Sequence, residues 1–399
     1  MSSTPDVPAD TTGGELSVGM VGYAFMGAAH SQAWRTAPRF FDLPLRPRMV
    51  AVAGRDATRV AAAADRLGWE STATSWQALV ERDDIDLVDV CTPGHTHAEI
   101  AIAALEAGKH VLCEKPLANS VAEAEAMVAA AEKAEANGVR AMVGYTYRRV
   151  PAIALARQLV AEGRLGTLHH VRAQYLQDWI VDPDAPLSWR LDKSKAGSGA
   201  LGDIGAHIVD LTQFITGDTV RRVSGRLRTF VDERPLPAEH TGLSGTAGSG
   251  RGPVTVDDAA TFLAEFRGGA LGVFEATRFA NGRKNAIRVE VNGSKGSVAF
   301  DFEDMNLLHF FDGTEAPATA GFRRILVTEA QHPYVAAWWP PGHLIGYEHG
   351  FTHQVVDLVN DIAAGANPSP SFADGLQVQR VLAAVETSSD TDSWQEVPA

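Results

Sequence analysis

Apolar and polar positions follow two different rhythms along this chain, and the change falls near Pro151. Before it, short apolar runs alternate with amphipathic stretches. Leu16 to Gly22 reads as a strand and Met26 to Ala37 as the helix after it. Arg48 to Gly54 is the next strand, followed by an Ala-rich helix from Ala57 to Leu67. Ile85 to Cys91 is a strand, His97 to Ala107 a helix, and His110 to Cys113 a strand. Asn119 caps a long Ala/Glu helix that ends near Asn137-Gly138, and Val139 to Tyr145 is one more strand. Alternating βαβα units predict a doubly wound parallel sheet.

Beyond Pro151 the period changes. A helix, Ala152 to Glu162, precedes a polar-aromatic strand, His169 to Trp179, and a helix around Ala200 to Ile215. Strands then follow in succession: Val220 to Val231, Ala259 to Phe266, Ala270 to Phe279, Ala286 to Asn292 and Gly296 to Asp301. Ile287, Val289 and Val291 alternate up to an Asn292-Gly293 turn, the pattern of an antiparallel sheet with tight hairpins. Residues 235–253 are Gly/Ser-rich and read as a flexible loop inserted between strands. Two helices, Glu348 to Ala364 and Ala373 to Thr387, close the chain. The fold class is α/β: an N-terminal Rossmann domain plus a C-terminal α+β domain with a large open, mostly antiparallel sheet. The expected division is a disordered tail over 1–14, a dinucleotide-binding domain over 15–147, and a substrate-binding and oligomerisation domain over 148–399. The final helices can pack back on the first domain.

Composition narrows the function classes. The 399 residues are 45% hydrophobic and 21% charged, ordinary for a globular protein with room for two cores. A net charge of −14 argues against nucleic acid or an anionic membrane as partner. The two cysteines, Cys91 and Cys113, lie in apolar runs, so buried hydrophobes are expected rather than a disulfide. Met1 to Gly14 has neither a basic nor an apolar signal region, and no apolar run reaches transmembrane length. A cytoplasmic protein is the expectation.

The run ending at Gly22-Tyr23-Ala24-Phe25-Met26-Gly27 closes a strand and opens a helix. That is the place of a dinucleotide fingerprint, with the pyrophosphate on the helix N-terminus. Gly22 and Gly27 hold the outer positions, and Ala24 replaces the middle glycine. After the second strand, Ala53-Gly54-Arg55-Asp56 puts glycine at the usual acidic position. Arg55 suits a phosphate or an adenine ring, and Asp56 either serves a ribose or caps the next helix. NAD and NADP both stay open.

Glu114-Lys115-Pro116 follows a strand one Rossmann half later, so Lys115 points into the cofactor crevice. Asp203 and His207, four apart after a glycine-rich entry, share a helix face. Alcohol oxidation needs a base for the hydroxyl proton, and histidine suits that role. A lysine stabilises the developing alkoxide, and an aspartate orients the substrate.

At these residues the chain resembles the family of glucose–fructose oxidoreductase, inositol dehydrogenase and the rhizopine catabolism protein, Gfo/Idh/MocA. The matching pieces are Gly22 to His30, Cys91-Thr92-Pro93-Gly94-His95-Thr96-His97, Glu114-Lys115-Pro116, Gly144-Tyr145-Thr146-Tyr147-Arg148 and Gly202-Asp203-Ile204-Gly205-Ala206-His207. The resemblance implies Lys115, His207 and Asp203 as catalytic residues. It implies a cofactor site of Gly22, Ala24, Phe25, Met26, Gly27, Arg55, Thr92, Pro93, His95, His97, Glu114 and Lys115. Ala24, and Gly94 where asparagine is common, depart from the pattern. It further implies a dehydrogenase that oxidises a secondary ring hydroxyl of a sugar, anhydrosugar or cyclic polyol to a ketone. Levoglucosan and inositol dehydrogenases form the subgroup most alike, which favours NAD over NADP. Tyr147, Arg148, Tyr175, Gln177 and Trp179, with Lys115, Asp203 and His207, are candidates for the sugar pocket, since an aromatic packs on a sugar's apolar face. For the first five, alternate positions on a half-exposed strand are the plain alternative.

His343, His349 and His353 invite a metal reading, but no carboxylate or cysteine motif completes it, so no metal is expected. Rival functions are an NAD-dependent redox-neutral glycosidase, a cofactor-recycling sugar–sugar oxidoreductase and a non-catalytic nucleotide or sugar sensor. Retention of Lys115, Asp203 and His207 together argues against the sensor. The second sheet is expected to leave an apolar face open, which predicts a homodimer or homotetramer.

Overall fold

Val- and Ala-rich runs carrying few charges form the first sheet. The computed structural model describes residues 13–241 and 244–398, so residues 1–12 of the expected tail lie outside the described residues. Its strands are β1 (Glu15–Val21), β2 (Arg46–Ala53), β3 (Ser71–Ala73), β4 (Leu87–Val90), β5 (His110–Cys113) and β6 (Ala141–Val143). The order is β3-β2-β1-β4-β5-β6, with every pairing parallel. The strand order reverses between β1 and β4, which opens a crevice at their carboxyl ends. The helices of this half are α1 (Phe25–Phe40), α2 (Ala57–Leu67), α3 (Trp76–Val80), α4 (His97–Glu106) and α5 (Val121–Glu135).

The second half brings α6 (Pro151–Ala161), β7 (Leu168–Leu176), α7 (Lys193–Ala196), α8 (Ala206–Thr216) and β8 (Val220–Arg228). Next come β9 (Glu233–Thr241), β10 (Ser244–Pro253), β11 (Ala259–Phe266), β12 (Leu271–Thr277), β13 (Ala286–Gly293), β14 (Gly296–Asp301), β15 (Leu307–Asp312) and β16 (Arg323–Leu326). The chain ends with α9 (Tyr347–Ala364), α10 (Phe372–Thr391) and β17 (Gln395–Glu396). Nine strands form one sheet in the order β16-β15-β14-β13-β7-β12-β11-β8-β17. Within this sheet, and among the described residues, only β7 and β12 pair in parallel. Val171, Ala173, Tyr175, Phe262, Phe274 and Val289 line its buried face, against which α6, α8 and α10 pack. Helix α9 returns to the first half: Phe351, Val355 and Val359 share a core with Val18, Met20 and Trp34.

Four expectations change. Of residues 235–253, the described ones, 235–241 and 244–253, lie in the antiparallel pair β9–β10 instead of a loop, with Arg234 buried at its base and donating to the Ile180 and Asp182 carbonyls. Glycine and serine hide the alternation that marks a strand, while ladder hydrogen bonds still form through any backbone. Ser120, not Asn119, caps α5, its hydroxyl accepting the Glu123 N–H. The β13–β14 reversal falls one step past Asn292, which still pairs with Ser297. The open face of the large sheet is less apolar than expected: Leu263 and Leu271 are exposed on it, but Arg172–Glu290 and Arg288–Asp301 ion pairs cross it. Among the described residues, no helix is long and apolar enough to cross a membrane.

Candidate active site

The crevice is a cleft of about 720 Å³ between the two sheets. One wall is the β1–α1 turn. Gly22 has φ +97°, and a Cβ there would sit 2.7 Å from the Cys91 carbonyl oxygen. A Cβ at Gly27 would sit 2.3 Å from the Gly22 oxygen. Ala24, by contrast, has an extended backbone at φ −74°, so nothing at the middle position demands glycine. Ala24 makes no side-chain cap bond and the first turn of α1 carries no acid. The free N–H groups of α1 therefore lie beside Ala24, Phe25 and Met26, which line the cleft. A dinucleotide's pyrophosphate fits this cradle.

The opposite wall comes from a wide π-type turn, Leu201–Gly205, that runs into α8. Turns of this kind concentrate at functional sites. It presents Asp203 and His207 to Lys115, which arrives from the end of β5. Lys115 Nζ donates to the Asp203 carbonyl oxygen at 2.7 Å and lies 3.5 Å from its carboxylate. Burial would raise the Asp203 pKa, but Lys115, Arg278 and Arg190 outweigh it and hold the carboxyl below its ordinary value. His207 is pushed well below the ordinary histidine value by burial and by the Lys115 charge. It is therefore neutral at physiological pH, and its Nδ1 has no hydrogen-bond partner among the described residues. A neutral imidazole beside a cation and a carboxylate is a proton acceptor in waiting.

The turn is anchored from behind. The buried Asp257 carboxylate accepts the Gly199 N–H at 2.7 Å and the Leu201 N–H at 2.8 Å. Arg278, fully buried, donates to the Asp257 carbonyl at 3.2 Å and faces Asp203 at 3.6 Å. Farther along, the Tyr147 and Tyr175 hydroxyls meet at 3.0 Å, and Tyr175 donates to Asn285 at 2.6 Å. Gln177 links Asn285 to the Trp179 indole. Tyr147 stands edge-on to His207 with ring centres 4.7 Å apart.

Both halves of the chain match families of known proteins. A family model described as "Oxidoreductase family, NAD-binding Rossmann fold" matches residues 16–145, and the GFO/IDH/MocA C-terminal domain matches 153–299. The chain belongs to the Gfo/Idh/MocA oxidoreductase family. It is 42% identical to levoglucosan dehydrogenase of Pseudarthrobacter phenanthrenivorans over 96% of this chain and 98% of that protein. Among solved structures, an oxidoreductase domain protein from Kribbella flavida shares 76% identity at a TM-score of 0.93, covering 97% of this chain and all of that one. Levoglucosan dehydrogenase in complex with NADH and levoglucosan superposes at a TM-score of 0.90 with 41% identity, covering 96% of this chain and all of that one.

Within this Gfo/Idh/MocA cleft lie Ala24, Phe25, Met26, Thr92, Pro93, Glu114, Lys115, Tyr147, Tyr175, Gln177, Trp179, Asp203 and His207. Gly22 and Gly27 shape the turn from behind it. Arg148 is a correction: it is buried away from the cleft, where it grips Asp210. His97 is buried as well, its ring nitrogens 2.9 Å from the Thr92 and Pro116 carbonyls, so it ties two cleft loops together without lining the cleft. His95 and Arg55 are exposed outside the lining. Asp56 caps α2, and a Cβ at Gly54 would meet the Tyr23 ring at 2.1 Å. His353 spends both nitrogens on Arg149 and Trp338, and His349 accepts the Gly346 N–H.

Sequence reasoning passed over Asn119, Arg190, Arg278 and Asn285, which line the cleft. Alternation through Gly272, Phe274 and Ala276 was the available signal for Arg278. The Asn119 Oδ1 lies where a Cβ on Gly94 would point, 2.6 Å away, so its carboxamide fills the space that a larger residue at 94 would need.

Proposed function

We propose that this protein is an NAD(P)-dependent dehydrogenase that oxidises a secondary ring hydroxyl of a sugar, anhydrosugar or cyclic polyol to a ketone. The convergence of Lys115, Asp203 and His207 beside the uncapped N-terminus of α1 carries the reading. Residues 15–147 hold the cofactor, and residues 148–399 bind substrate and support a homodimer or homotetramer. When bound, the nicotinamide supplies the hydride acceptor. Neutral His207 takes the hydroxyl proton, and the Lys115 ammonium stabilises the oxygen as its charge grows. Asp203 orients the substrate and holds Lys115 in register. Tyr147, Tyr175, Gln177 and Trp179 offer rings and amide groups to the sugar.

NAD is the expected cofactor, in line with the NADH complexes of the levoglucosan dehydrogenase relative. Asp56 is occupied as a helix cap and Gly54 carries no carboxylate, so both dinucleotides belong in the test. The experiment is reduced-nicotinamide formation on levoglucosan, inositols, glucose and glycosides, with NAD and with NADP, against a Lys115→Ala control. Turnover lost in the variant supports the reading. Silence across the panel with cofactor still bound moves the weight to a substrate outside the panel, a redox-neutral glycosidase or a sensor.

A further inference from the structure

Both ring nitrogens of His30 face carboxylates in a place that solvent does not reach. Nδ1 lies 2.9 and 3.0 Å from the two oxygens of Asp89, and Nε2 lies 3.0 Å from Glu114 Oε1. His30, Asp89 and Glu114 are 1%, 0% and 4% exposed. A neutral imidazole has one N–H and one lone pair, so it satisfies one carboxylate and turns its lone pair on the other. Two ionised carboxylates require two donors. Asp89 is fixed as an acceptor by the Trp34 indole N–H at 2.7 Å. Glu114 keeps its second oxygen for the backbone N–H of Lys115 at 3.1 Å.

We propose that His30 is held as an imidazolium between Asp89 and Glu114 and is a positioning residue for Lys115. His30 belongs to α1, the helix that opens at the dinucleotide turn. Asp89 belongs to β4, and Glu114 directly follows β5, one residue before the lysine. The triad thus fastens the cofactor turn and the lysine to one another through a buried charge, which low polarity makes strong when every partner is satisfied. The neighbouring groups agree. Burial would lower the His30 pKa, but Asp89 outweighs it and raises the value well above the ordinary one. Burial pushes the Cys91 thiol up, so no thiolate competes for the charge. Phe351 from α9 covers the imidazole with ring centres 5.5 Å apart. His30, Asp89 and Cys91 are close enough to suggest a metal, yet an ion there would have to break the His30–Asp89 contact and strip the Cys91 proton.

Neutron diffraction from perdeuterated crystals of the full chain at about pH 8, where an ordinary histidine is neutral, reads the protons directly. Density on both His30 nitrogens is expected; a bare nitrogen overturns the proposal. The positioning role rests on the reading of Lys115 given above and is tested separately. His30→Gln should lower kcat roughly 10- to 100-fold, the order expected when a reacting group is misplaced. The same substitution in a Lys115→Ala background should cost almost nothing more, because both changes then remove one function. Costs that multiply mark a structural effect and overturn the role. A crystal structure of His30→Gln reads it without kinetics: Lys115 should leave the Asp203 carbonyl, and an unmoved Lys115 overturns the role. Absence of turnover in the unaltered protein would strike the dehydrogenase reading alone, since neither diffraction result depends on it.

Discussion

Lys115 grips Asp203 by its backbone: the ammonium donates to the carbonyl oxygen at 2.7 Å, while the carboxylate stands 3.5 Å away. The lysine comes from the end of the parallel sheet and the aspartate from the turn packed on the large sheet, so this contact spans the cleft. A carbonyl has no titration, so this hydrogen bond is available to the lysine whatever the charge of the carboxylate, and the ion pair adds to it. The carboxylate faces Lys115 on one side and Arg278, at 3.6 Å, on the other.

Lys115→Ala should lower kcat on the order of a hundredfold or more, the loss seen when a group that stabilises a developing oxyanion is removed. Cofactor binding, followed by NADH fluorescence, should weaken far less than kcat, because the α1 turn still holds the pyrophosphate. Asp203→Asn keeps the carbonyl and so keeps the lysine in place; its cost should fall mainly on substrate KM. Steady-state kinetics of the two variants separate the roles. Unchanged turnover in Lys115→Ala would take the lysine out of the mechanism.

The pH dependence has a definite sign. His207 acts as a base only when neutral, and burial followed by the Lys115 charge lowers its pKa well below the ordinary value. The acid limb of kcat/KM should then lie below about 6.5, the ordinary histidine value. In Lys115→Ala the second cause disappears while burial remains, so the residual activity should lose its acid limb at a higher pH than the unaltered enzyme. A limb that stays put would mean that another group titrates.

Much of this site was legible because chain order alone placed it. A lysine after a β5-type run and a histidine four residues past an aspartate need only strand ends and helical period to be located. Alternation along β12 marks Arg278 as inward-facing, but only the register of β12 and β13 against β7 brings it and Asn285 to Asp203 and Tyr175, so their place in the site was not legible. Asn119 and Ser120 are both good caps, so sequence could not say which hydroxyl or amide would win. The β9–β10 hairpin escaped because its glycines carry no side-chain alternation. Arg148 was read as a pocket residue because its strand-end position is right, but its side chain turns to a carboxylate that only the folded chain supplies.

That carboxylate gives a stability test. Arg148 donates through Nε and Nη2 to Asp210 and through Nη1 to Ser369, and Asp210 is 1% exposed. Arg148→Met leaves a buried carboxyl, its pKa already raised to about 6 by burial, without its partner and should cost about 3–5 kcal/mol, whereas adding Asp210→Leu should recover much of it. Denaturant unfolding of the single and double variants measures both. Sugar KM in the double variant should match the unaltered enzyme; a large rise would return Arg148 to the pocket.

Gly199 tests how the catalytic turn is held. A Cβ there would sit 1.7 Å from the Asp257 carbonyl oxygen and 2.9 Å from its nitrogen, so backbone itself must move. The same backbone carries the anchor: Ala200 N–H donates to that carbonyl at 3.0 Å, and the Gly199 and Leu201 N–H groups donate to the Asp257 carboxylate. Gly199→Ala should therefore lose roughly 1–3 kcal/mol or more of stability, as overpacked sites do, and lower kcat by shifting Asp203. Gly202→Ala is the contrast within the same segment. Its Cβ would approach Ser198 Oγ at 2.3 Å, and that is the end of a side chain free to rotate. Melting temperatures of the two variants should differ, with Gly199→Ala the lower. Equal losses would show that crowding in the glycine-rich entry, and not the Asp257 anchor, sets the position of Asp203.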